Sequence, residues 1–234
     1  MSGNVSEFGF GSGDSLVSTS RFEKFKAKQG ESYRMSFVWW PLKDGKPDLD
    51  AASPRFVGAR RFFIQNVGYV LDKGPEIAKF ASGPSKATVA TIVCIWPTDK
   101  RGGLDKDRFL RGDFDVKPWV FSGQTYEQLA RRHNEFPFGQ CDLTVLCTDT
   151  QFQKLDITPC RDSLFRKTLE NPQLATVHAS VMDAVNAIAA DIQGLLGRDL
   201  TPEQIREKIG GAPASPVGSV TSSEVDSVLD DLLG

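Results

Sequence analysis

The chain has 234 residues, 40% hydrophobic and 25% charged, with a net charge of −2, which suits one principal soluble domain with appendages. No run approaches the roughly 18 consecutive apolar residues of a membrane-spanning helix. The start MSGNVSEFGFGSGDS also lacks the basic and apolar regions of a secretory signal.

The net charge hides a split. Residues 21–167 carry 25 Lys/Arg against 18 Asp/Glu, a net of +7, whereas residues 168–234 carry 3 against 10, a net of −7. Such asymmetry implies a polyanion-binding core and an acidic tail on one chain. The first twenty residues contain no Lys or Arg and few large apolar side chains, so they are expected to form a flexible leader.

In chain order, the run YRMSFVWW from Tyr33 to Trp40 predicts a strand ended by Pro41 and the KDGKPD turn cluster. Its alternation puts Tyr33, Met35, Phe37 and Trp39 on one side and Arg34, Ser36, Val38 and Trp40 on the other. One Trp is therefore expected in the core and the other free. After a loop to about Pro54, residues Phe56 to Leu71, interrupted by Gly58 and Gly68, predict a strand pair or a bent strand. ATVATIVCIWP, from Ala87 to Pro97, predicts a central strand buried on both faces. KPWVFS supplies a short strand, YEQLARRHNEF from Tyr126 a short helix, and Asp142 to Asp149 a last clear strand. This order predicts a mainly β fold, an OB-type Greek-key barrel over residues 21–167.

Beyond it, Asn171 and Pro172 open a helix whose apolar positions Leu174, Val177, Val181, Val185, Ile188, Ile192 and Leu195 recur every three or four residues. The expected helix runs from Pro172 to about Leu196, with its stripe docked on the barrel or used for self-association. Thr201, Pro202 and Gln204 open a second helix with capping-box spacing, closed by Gly210 and Gly211. Residues 168–211 thus form a helical segment, and residues 212–234 a linker and acidic tail.

All but two aromatics lie between Phe22 and Phe165, interleaved with cations. Bases stack on aromatics while cations follow phosphates. The candidate nucleic-acid contacts are Trp39, Trp40, Arg55, Arg60, Arg61, Phe63, Trp96, Lys100, Arg101, Arg108 and Trp119. The four tryptophans are favoured for exposure because they lie beside loop ends. In the tail, SEVDSVLDDLLG sets Val225, Val228, Leu229, Leu232 and Leu233 at helical spacing among Asp226, Asp230 and Asp231. Such a peptide folds into a partner's groove, or occupies a basic groove when no polyanion is there. The candidate partner contacts are Asp226, Leu229, Asp230, Asp231, Leu232 and Leu233.

Cys94, Cys141, Cys147 and Cys160 are too sparse for a disulfide scaffold, so buried thiols in a reducing cytoplasm are expected. The order His133-x7-Cys141-x5-Cys147-x12-Cys160 lacks the close cysteine pairs of a structural zinc site, so no metal and no cofactor are assigned. No P-loop, G-x-S-x-G or H-E-x-x-H is present, and the expectation is a protein that is not an enzyme.

The stretches FEKFKAKQGESYRMSF, WPTDKRG and FPFGQCDLTVLCTDTQFQK, and above all the terminal VDSVLDDLLG, resemble the single-stranded DNA-binding, or helix-destabilising, proteins of tailed bacteriophages. The resemblance implies an OB-fold that coats single-stranded DNA during replication, recombination and repair. It also implies an acidic tail that recruits replication or recombination proteins, in the cytoplasm of a bacterial host. The basic N-terminal arm of some members is missing, as is their zinc ribbon. The alternative is a protein–protein adaptor or structural protein whose β-core binds no nucleic acid.

Overall fold

The computed structural model describes residues 22–99, 102–148 and 155–210. Its strands are β1 (Ser32–Phe37), β2 (Leu42–Lys43), β3 (Lys46–Pro47), β4 (Val57–Ile64), β5 (Gly68–Leu71), β6 (Lys86–Trp96), β7 (Asp115–Ser122), β8 (Leu143–Cys147) and β9 (Leu155–Pro159). Its helices are α1 (Pro75–Ala78), α2 (Lys106–Leu110), α3 (Gly123–Glu135), α4 (Leu164–Glu170), α5 (Ala175–Ala189) and α6 (Pro202–Gly210). The leader, the tail, Lys100 and Arg101 lie outside the described residues.

Seven strands form one antiparallel sheet, in the order β5-β4-β6-β1-β8-β9, with β7 also paired to β6. The apolar run of β6 is the axis, as its composition predicts. Its residues 86–90 pair with β4 and residues 93–96 with β1 along one edge, while β7 lies along the other. The expected strand pair over 56–71 is the β4–β5 hairpin, turned through Asn66 and Gly68, both at positive φ.

The expected closure into an OB-type barrel does not occur, and the sheet is open. Pro118, in the middle of β7, has no N–H for a further strand, and its carbonyl accepts from the Phe25 N–H at 2.8 Å. The outer edge of β5 is capped by Arg198, whose N–H donates to Tyr69 O and whose carbonyl accepts from Leu71 N–H.

Cross-strand partners share a face, so the registers sort the core. Phe37, Trp119 and Phe121 lie on one side of the sheet, and Phe56 and Phe138 pack against them. Phe37 and Phe138 stack at 4.7 Å. On the other side are Arg34, Ser36, Cys94 and Trp96.

Residues 168–210 are no separate unit. The expected helix breaks into 3-10 turns at Pro172–Leu174 and Ile192–Leu195 flanking α5, the second beside Asp191 and Gly194, where helix propensity falls. Val177, Val181, Val185, Ile188, Ile192 and Leu195 are all buried in the main core. Self-association through this stripe is therefore corrected: its own sheet already covers it. A smaller cluster of Phe62, Ile64, Val67, Val70 and Ile77 holds α6 through Ile205. That helix has the expected capping box, with Thr201 N–H donating to Gln204 Oε1 at 2.9 Å and Gln204 N–H to Thr201 Oγ1 at 3.3 Å.

Gly139 lies directly against the Leu49 backbone. A Cβ there would stand 1.9 Å from Leu49 O, so Gly139→Ala must separate two backbones that Arg166 joins through Gly139 O and Asp50. A loss of about 1–3 kcal/mol is expected, read as a lower urea midpoint with unchanged slope.

Candidate nucleic-acid interface

All four tryptophans favoured for stacking are buried. Trp39 is 7% exposed, Trp40 2%, Trp96 2% and Trp119 4%. Strand β1 ends at Phe37, so its alternation cannot send one of Trp39 and Trp40 outward. Instead, Trp40 Nε1 donates to Phe37 O at 2.8 Å and Trp39 lies beneath the Arg55 guanidinium. Trp96 donates to Ser36 Oγ at 2.7 Å and packs on Phe109 and Phe114, while Trp119 packs on Phe25 and Phe121. A base cannot reach these rings.

Among the described residues, the expected cations Arg55, Arg60 and Arg108 are also engaged. Arg55 sits 4.9 Å from the Trp39 ring centroid, Arg60 donates to Ser85 Oγ and Ser85 O, and Arg108 pairs with Asp113 at 2.6 Å.

The structure brings Arg61 and Phe63 together with three residues the sequence reading missed. The β4–β5 register sets Phe63 opposite Tyr69, and both rings are exposed, at 51% and 43%, with centroids 5.5 Å apart. Arg61 lies 3.9 Å from the Tyr69 centroid, and the β4–β6 register puts exposed Lys86 beside it. Arg61 Nη1 donates to Leu196 O at 3.1 Å, and Lys24 Nζ donates to Leu195 O at 3.2 Å. Burial pulls the pKa of Lys24 down, and the nearby charges of Arg61 and Lys26 lower it further. Burial also pulls Arg61 down.

Two half-buried cations thus lie side by side, and neither forms an ion pair among the described residues. Desolvated like charges cost free energy, which an arriving anion offsets. The signal for Tyr69 was in the sequence: Asn66 and Gly68 mark a turn that sets residues 63 and 69 face to face.

A second polar constellation lies in the core. Asp142 is fully buried and accepts from the Ser36 hydroxyl, from Arg34 Nε at 2.9 Å and from Leu164 N–H at 3.1 and 3.2 Å. Arg34 also reaches Asp162 at 3.0 Å, which pairs in turn with Lys167. Burial pushes the Asp142 carboxyl up to about 6, against the pull of Ser36, Arg34 and Leu164. With Ser36 itself buried, the cluster joins β1 and α4 as a structural lock.

Among the described residues, no group of three or more His, Cys, Asp or Glu side chains is placed to hold a metal. His133 spends both ring nitrogens on the backbone: Phe138 N–H donates to Nδ1 at 3.0 Å, and Nε2 lies 2.9 Å from Ala52 O. Cys94, Cys141 and Cys147 are buried, and Cys160 is half-buried. None of the described helices is long and apolar enough to cross a membrane.

No protein-family model, curated protein or solved structure matches the chain.

Proposed function

We propose that this protein binds single-stranded DNA without sequence preference, using the Phe63–Tyr69 pair as its stacking platform and Arg61, Lys24 and Lys86 as its phosphate contacts. The observation that carries the reading is the exposed ring pair set against two half-buried cations that have no carboxylate partner among the described residues. Stacking on exposed rings accepts any base, because every base has a π-face. An open sheet is sufficient for this, since the platform needs a hairpin and not a closed barrel.

The resemblance to phage single-strand-binding proteins supports the same reading. It adds a role in coating DNA during replication and recombination, with the acidic peptide from Glu224 to Gly234 recruiting partners. That peptide lies outside the described residues.

The test is a titration of fluorescein-labelled oligo-dT, followed by anisotropy. Tryptophan emission is not the readout, because no tryptophan is reachable. Three phosphate contacts give a salt slope of about −2, so affinity should fall roughly 10–20-fold between about 50 and about 200 mM salt. Duplex of equal length should bind more weakly. Equal affinity for duplex overturns the single-strand reading, and no binding at low salt overturns it in favour of the adaptor alternative.

A further inference from the structure

Away from the hairpin, a pocket of about 140 Å³ opens between α3 and the 52–54 loop. Its walls are largely ring-bearing and apolar: Phe56 meets Tyr126 edge to face at 5.2 Å, and Leu129 and Phe138 are buried beneath. Polar groups gather at the mouth, where Ser53, Tyr126 and Asn134 line the pocket and are exposed. None of their side chains forms a hydrogen bond among the described residues.

The walls are tied to one another. His133 ties α3 to the loop through Ala52 O and fixes Phe138 through its N–H, and Phe138 stacks on Phe37. The loop is pinned from its far side by Arg55 N–H on Trp39 O and by Thr91 Oγ1 on Arg55 O.

From this arrangement we infer that the pocket takes one pyrimidine base, edge outward. A dry cavity of about 150 Å³ accommodates a benzene ring, so a pyrimidine enters with its polar edge at the mouth while a purine remains partly outside. The two hydroxyls and the Asn134 amide supply the donors and acceptors that a pyrimidine's carbonyls and ring N–H require. An aliphatic side chain fits the walls but leaves those three groups unused. No carboxylate is among the described residues that line the pocket, and Arg131, one helical turn from Asn134, is exposed. The inference rests on the single-strand reading and adds a base-selecting site to its sequence-tolerant platform.

The test uses the full chain, ¹⁵N-labelled, with thymidine 5′-monophosphate as probe and deoxyadenosine 5′-monophosphate as control. Saturable amide shifts are expected within residues 126–138 for the pyrimidine, with about fivefold or more weaker binding of the purine. Ala130→Trp, at an exposed position lining the pocket, should abolish those shifts, and Asn134→Ala, also at an exposed position, should weaken them. Shifts confined to Phe63 and Tyr69, shifts that survive Ala130→Trp, or no shifts from a protein that still binds oligo-dT each overturn the pocket inference while leaving the platform intact. Failure of the platform is read separately, from the oligo-dT titration of the unmodified protein.

Discussion

Asp142→Ala is expected to cost about 3–5 kcal/mol, because it takes from the partly buried Arg34 guanidinium its buried partner and leaves it only the more exposed Asp162. The Leu164 N–H and the buried Ser36 hydroxyl lose their acceptor as well. For a chain of this length that corresponds to a fall in melting temperature of roughly 6–20 °C. Calorimetry checks it, and a change under about 1 kcal/mol would show that the lock contributes little.

The same carboxyl sets a pH dependence. Its folded pKa of about 6 lies above the unfolded value of about 3.9, so its contribution is fully present below about pH 4. It is lost as pH rises through about 6, by about 3 kcal/mol in all. Asp142→Asn lacks this titration. The stability gap between the unmodified protein and Asp142→Asn should therefore narrow from pH 4 to pH 7; a gap that widens contradicts the assignment.

The second large effect concerns binding. Each stacked base is worth about 1–3 kcal/mol, so Phe63→Ala and Tyr69→Ala should each weaken oligo-dT binding by roughly 5- to 150-fold. Both rings are exposed, so the folded state should be little affected. Arg61→Ala should also weaken binding, and it should in addition lower the salt slope by close to one phosphate contact, about 0.7. By contrast, Trp39→Phe and Trp119→Phe should leave binding unchanged.

Much of the fold was legible because it depends on period and composition. The apolar run of β6, the Gly-interrupted 56–71 pair, the capping box at Thr201 and the stripe of α5 all follow from one-dimensional signals. Barrel closure was not legible, because it depends on which strand edges meet, and Pro118 and Arg198 occupy two of them. The site was half legible: the sequence marked Arg61 and Phe63 but preferred tryptophans by residue type. Large rings lower the free energy most when buried, and here all four fill the core. Tyr69 could have been found from the turn at Asn66 and Gly68, whereas Lys86 and Lys24 joined the site only through strand register and through the packing of residues 192–196, which no local pattern encodes.

The most direct test of the platform is photocrosslinking of oligo-dT to the full chain, with the linked residues identified by mass spectrometry. Stacked bases should crosslink to peptides containing Phe63 and Tyr69, and those crosslinks should disappear in the Phe63→Ala/Tyr69→Ala variant. Crosslinks that map elsewhere on the described surface and persist in the double variant would contradict the placement of the single strand on the β4–β5 hairpin.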